Sequence, residues 1–146
     1  MMIAGELIKE LGAKLGVSIA LDENGVCGVI FDKDTVDFEL SGNDLYLIAE
    51  LGFVQAGADK DFYVQLLEAN YLGTKTAGAA LSLDPDKENT VMLYKKLATP
   101  MEYADFEKEL EFFVKAVRYW KEYITLFRLQ GYETINTMNY NAMIRI

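Results

Sequence analysis

The stretch VCGVIFDKDTVDFELSGNDLYLIAEL, residues 26–51, decides the fold. Its apolar runs, 26–31, 36–40 and 45–51, are short and are separated by Asp32-Lys33-Asp34 and Ser41-Gly42-Asn43-Asp44, both clusters of turn formers. With Asp22-Glu23-Asn24-Gly25 as the turn that precedes them, the three runs predict an antiparallel meander. Upstream the period changes. Ile3, Leu7, Leu11 and Leu15 recur four apart with Glu6, Lys9, Glu10 and Lys14 between them, which predicts an amphipathic helix over 3–16 that stops at Gly16.

Downstream, Asp61 opens a second short helix. Phe62, Leu66 and Ala69 share one side of it, while Tyr63, Leu67 and Tyr71 share an adjoining one. Two apolar sides need two surfaces to bury against, so Phe62, Tyr63, Leu66, Leu67 and Tyr71 are the expected interface of a homodimer, together with the strand that follows. Residues 78–84 and 90–97 read as a hairpin around Pro85-Asp86-Lys87-Glu88-Asn89. Thr99-Pro100-Met101-Glu102 has the capping-box pattern with Pro at the first helical position. It opens the longest helix, along which Tyr103, Phe106, Leu110, Phe113, Val117, Trp120, Ile124 and Phe127 form a stripe, and Gly131 supplies a stop. The expected fold is α+β: a twisted antiparallel sheet of about five strands with three helices, in the order α-β-β-β-α-β-β-α. One domain spans 1–131. The tail, 132–146, is rich in Asn and Thr, and a docked extended arm and a loose tail both fit it.

A chain of 146 residues with 51% hydrophobic residues holds one ordinary core. Its net charge of −9 argues against nucleic acid and membrane surfaces as partners, because both present negative charge. The acidity is concentrated between Asp22 and Asp61, where ten carboxylates meet two lysines. Such a section keeps a protein soluble and favours a basic partner. The single cysteine, Cys27, cannot make an internal disulfide, no secretory signal pattern is visible, and a cytoplasmic location follows as the expectation.

Catalytic chemistry finds no constellation. Histidine is absent, which removes the commonest general base and a common metal ligand. Cys27 lies mid-strand with no basic neighbour and reads as an inert thiol. Gly73-Thr74-Lys75-Thr76-Ala77-Gly78 imitates a phosphate loop, yet Ala79 and Ala80 occupy the Lys and Ser/Thr positions. Asp84, Asp86 and Glu88 alternate like calcium ligands, but Asn89 replaces the required glycine and strands flank the loop. The carboxylates sit at turns, where solvation and ordinary pKa values are expected. No catalytic residue, metal site or cofactor is assigned, and binding is the expected class of function.

The strands suggest where binding occurs. Val36, Phe38 and Leu40 alternate with Asp37 and Glu39, but the first and third strands, and residues 91–94 of the last, are apolar on both faces. Behind the core-facing residues stand Val26, Ile30, Tyr46 and Ile48, with Met92 and Tyr94 as a second patch. Either a helix covers this second face or these six side chains are the binding surface, with the exposed side of the first helix as the next place to look.

Several stretches match a known family: Asp22-Glu23-Asn24-Gly25-Val26-Cys27, residues 45–52, Leu66-Leu67-Glu68-Ala69-Asn70, residues 78–85, and the last helix from Tyr103 and Phe106 to Trp120. On these the chain resembles the class I type III secretion chaperones of the Tir-chaperone family, and departs from them at Tyr71-Leu72-Gly73-Thr74-Lys75 and after Gly131. The resemblance implies a cytoplasmic bacterial homodimer that uses no nucleotide. It binds the extended N-terminal segment of a secreted effector, keeps it soluble and secretion-competent, and presents it to the export apparatus, with the secretion ATPase as a further partner. A ligand-binding or regulatory protein that shares the fold outside secretion is the alternative.

Overall fold

The computed structural model describes residues 1–54 and 60–130. The expected stop at Gly131 and the tail 132–146 lie outside the described residues. Helix α1 (Ala4–Leu15) is followed by strands β1 (Val26–Phe31), β2 (Asp34–Ser41) and β3 (Asp44–Phe53). Helix α2 (Lys60–Ala69) leads through a 3-10 turn (Tyr71–Gly73) to β4 (Ala80–Leu83) and β5 (Thr90–Ala98), and α3 (Tyr103–Gln130) closes the order. All strand pairs are antiparallel, in the spatial order β1-β2-β3-β5-β4. The α+β order expected from the sequence is therefore the observed one.

The turn into β1 is built by Asp22, whose Oδ1 accepts from the amides of Asn24 and Val26 at 2.8 and 3.0 Å. One sheet face carries Val29, Val36, Phe38, Leu45, Leu47 and Leu93, all buried in one core with Phe106, Phe113, Val117 and Trp120 of α3. The indole of Trp120 donates to the Lys75 carbonyl at 3.1 Å and so ties the loop after α2 to the core.

Four expectations are corrected. In α1 the buried stripe is Ala4, Leu7, Ile8 and Leu11, while Ile3 and Leu15 are exposed. Each step of four residues advances the stripe by about 40° around a 3.6-residue helix, so its two ends leave the core side. At the start of α3 there is no capping box. Thr99 Oγ1 donates instead to the Asn43 carbonyl at 2.6 Å, Met101 pairs with Met2 in an isolated antiparallel bridge, and the helix begins at Tyr103.

The third correction concerns α2. Phe62 and Leu66, expected at a dimer interface, are buried within the single chain, and Phe62 packs edge-on to Phe127 with ring centroids 4.6 Å apart. The fourth concerns Asp34, which is not solvated at its turn: its side chain is 1% exposed. Asp34 stands opposite Phe31 in the β1–β2 pairing and accepts Nε of Arg118 and Nζ of Lys121, each at 2.9 Å. Burial acts to raise its pKa, but the hydrogen bonds and charges of Lys121 and Arg118 outweigh it and hold the carboxyl below its ordinary value.

Candidate functional site

Strand alternation places all six predicted side chains on the sheet face opposite that core. Ile48 is directly across from Tyr94, and Tyr46 from Lys96, in the β3–β5 pairing. On the other side, Val26 is across from Glu39 and Ile30 from Thr35. Strand β2 thus stands between the two groups, because Asp37 also faces Ile48 and Glu39 faces Tyr46. The face is two apolar patches divided by an acidic row. Tyr46, Ile48, Met92 and Tyr94 form one patch, part-exposed to exposed, while Val26 and Ile30 lie at the sheet edge, Ile30 being 69% exposed.

Ile30 also belongs to a second feature. A groove of ≈ 740 Å³ runs between α1, α3 and the end of β1. Leu11, Leu15, Ile30, Phe31, Tyr103, Leu110 and Val114 form its apolar lining. Lys14, Lys115 and Arg118 alternate around it with Asp32, Glu107 and Glu111, so its charged rim is balanced. Lys14 Nζ sits 5.4 Å from the centroid of the Tyr103 ring, and Lys115 pairs with Glu111 at 3.4 Å. The Tyr103 hydroxyl is pushed up to about 12 by burial and by the adjacent Glu107 carboxylate, to which it is hydrogen-bonded, with Glu10 adding to the effect. Neutral at any physiological pH, with its proton committed to Glu107, it presents an apolar ring to the groove.

Sequence reasoning missed this groove because three separated segments build it. Its signals were present: Leu15 ends the first apolar stripe beyond the core, and Val114 beside Phe113 adds a second apolar row to α3.

The groove adjoins an open sheet edge. Leu40 N–H donates to the Gly25 carbonyl at 2.8 Å, and in an antiparallel pair such bonds recur on alternate residues. Val26, Gly28 and Ile30 therefore turn their backbone groups away from β2. Asp22 takes up those of Val26, through its amide at 2.9 Å and its carboxylate at 3.0 Å, leaving Gly28 and Ile30 to face outward. A polypeptide paired to this edge would send alternate side chains into the groove.

On α2 and the turn beyond it, Leu67, Tyr71 and Leu72 are 71%, 73% and 81% exposed, and Tyr63 is half-buried. Of the five residues predicted for a dimer interface, Leu67 and Tyr71 are on the surface, Tyr63 is at its margin, and Phe62 and Leu66 are interior. Leu72, beside Tyr71, is exposed as well.

Burial first, and then the carboxylates of Asp22 and Asp37, push the Cys27 thiol up against a lowering hydrogen bond from the Ala20 backbone. No group of three or more His, Cys, Asp or Glu is arranged to hold a metal ion among the described residues. Among the same residues no helix is long and apolar enough to cross a membrane.

Against known proteins, residues 6–121 match the profile of the Tir chaperone protein (CesT) family. A protein of Chlamydia pneumoniae is 28% identical over 121 residues, covering 79% of this chain and 91% of the relative. Among solved structures, the HopA1-SchA chaperone-effector complex contains a chain with a TM-score of 0.66 at 20% identity, covering 80% of this chain and 91% of that one. The heterodimeric ExoU-SpcU complex from the type III secretion system of Pseudomonas aeruginosa gives 0.64 at 15% identity, with coverages of 84% and 94%. YbjN from E. coli, a transcription-regulator candidate, gives 0.61 at 15% identity, with coverages of 86% and 92%.

Proposed function

Because the chain belongs to the Tir chaperone protein (CesT) family, we propose that it is a cytoplasmic type III secretion chaperone that binds the extended N-terminal segment of a secreted effector. Bound as a strand, the segment cannot fold or aggregate, and so stays secretion-competent. The single observation that carries this reading is the coincidence of an open β1 edge at Gly28 and Ile30 with an apolar groove beside it. Backbone pairing supplies affinity for any extended segment, and the groove supplies preference for apolar side chains at alternate positions. Tyr46, Ile48, Met92 and Tyr94 form a second surface, across the acidic row of β2, for a segment that continues over the sheet. The protein acts as a homodimer through Leu67, Tyr71 and Leu72, with Tyr63 at the margin, and the secretion ATPase receives the loaded complex. No catalytic step is needed, since binding replaces the folding free energy of the client.

The test is isolation of the native complex followed by protease mapping and amide exchange. A protected N-terminal client segment, together with slowed exchange at Gly28 and Ile30, is the expected result. A client bound only through a folded domain, with exchange at β1 unchanged, would overturn the reading. The similarity to YbjN favours one alternative, a regulatory protein on the same fold, for which no extended segment would be protected.

A further inference from the structure

A polypeptide paired to β1 sends one set of alternate side chains into the groove and the other set over the outer face of the sheet. Residues directly opposite one another in a ladder point to the same face, so the β1–β2 register fixes what that second set meets. A client residue opposite Val26 or Ile30 lies beside an aliphatic side chain, with Glu39 or Thr35 of β2 behind it. One opposite Gly28 lies beside no side chain at all, and Asp37 is the next residue in the row. The backbone does not ask for glycine here, because Gly28 is not among the residues with positive φ. What the missing side chain does is leave a gap. Asp37 leans into it: the place that a Cβ would take on Gly28 is 3.0 Å from Asp37 Oδ1.

Asp37 is exposed, and among the described residues no Lys or Arg forms an ion pair with it. We propose that the client residue held opposite Gly28 is a lysine or arginine, whose side chain crosses the glycine to pair with Asp37. Its Cα would stand two strand spacings, about 10 Å, from that of Asp37, a gap that a long cationic side chain and the leaning carboxylate close between them. Two residues to either side, apolar side chains would lie on Val26 and Ile30. Glu39 offers no equivalent contact, since the Val26 side chain stands between it and the edge. The pair is open to solvent, so it sets register and choice among segments more than it adds affinity. This contact rests on the strand-paired client proposed above and adds to it the one position at which charge is read.

The probes are three capped peptides of the palindromic form Thr-Val-Leu-Xaa-Leu-Val-Thr, with Arg, Gln or Glu at the centre, so that either strand direction presents the same side chains. Each is titrated into the full chain while the Gly28 and Ile30 amides are followed by NMR. The expected order of affinity is Arg, then Gln, then Glu, with dissociation constants spanning about tenfold. Asp37→Lys should reverse that order. Glu39→Lys changes the net charge equally and should keep it. Should Asp37→Lys not fold, Asp37→Asn is read instead and should shrink the span to about threefold or less. Equal affinities for the three peptides, or the same response from the Asp37 and Glu39 variants, would overturn the contact and leave strand pairing at β1 in place. If no peptide moves the Gly28 and Ile30 amides, the edge takes no strand, and the strand-paired client falls together with the contact.

Discussion

Asp34 and Arg118 are 84 positions apart in the chain, yet the Arg118 Nε sits 2.9 Å from the Asp34 carboxylate. The contact bolts α3 onto the turn between β1 and β2, and Arg118 uses Nη2 to hold Asp32 at 3.0 Å as well. The wall of the groove formed by α3 is thereby fixed to the edge strand that forms its floor. Asp34→Asn should lower stability at pH 7 by about 2 kcal/mol, the usual scale for hydrogen bonds to a charged group, reduced here because both cations are partly solvated.

The pH dependence follows from the lowered folded-state value of Asp34. Its stabilisation is complete above the unfolded-state pKa of about 3.9 and is lost as pH falls through the lower folded value. Urea midpoints for wild type and Asp34→Asn should differ at pH 7 and converge as pH falls through the lowered folded-state value of Asp34. A gap that persists in acid would show that the carboxylate charge is not its source.

The groove and the second patch can be separated by single substitutions. Ile30→Asp places a charge at the groove and beside the β1 edge, and should weaken client binding by at least about tenfold, or about 1.4 kcal/mol. Ile48→Asp, beyond the acidic row, should cost less. Both should retain wild-type circular dichroism, since neither side chain enters the core. Titration of the purified client segment measures the order, and a reversed order would move the principal site to the β3–β5 patch.

The surface of α2 should separate association from folding. Leu67→Asp and Leu72→Asp together should shift the light-scattering mass from dimer to monomer without changing the melting temperature. Phe62→Ala should do the opposite, lowering stability by about 3 to 5 kcal/mol through the cavity it leaves. A dimer that survives the double substitution would place the interface elsewhere.

Salt should act on the rate of association more than on the lifetime of the complex. The groove rim is balanced, so the net charge of −9 acts from a distance, where it is screened beyond about 8 to 10 Å at physiological ionic strength. For a basic client segment, stopped-flow association should slow several-fold between low and high salt while dissociation changes little. An unchanged association rate would reject steering.

The order of elements was legible because each carries its own local signal: period two in residues 36–40, a left-handed stop at Gly16, a turn-forming carboxylate at Asp22. The outward set from Val26 to Tyr94 was legible for the same reason, since strand alternation is a local rule. What failed depended on distant partners. Asp34 looks like any turn aspartate until Arg118 and Lys121 arrive from α3. Thr99 looks like a helix cap until Asn43 offers a better acceptor. An α2 with two apolar sides does not say which one meets its own core, and the groove exists only after α1, β1 and α3 have been assembled.

Trp120 is the only tryptophan in the chain, and its ring is fully buried against Tyr119 and Tyr123, with its N–H committed to the Lys75 carbonyl. It lines neither the groove nor the outer sheet face. Intrinsic fluorescence therefore reports whether the loop after α2 is docked on the core, and occupancy of the groove by a client leaves the emission nearly silent. A spectral shift on loading would mean that the signal had travelled from the edge of β1 to the far side of the core, which makes this one indole a natural probe of communication between the client surface and the surface of α2.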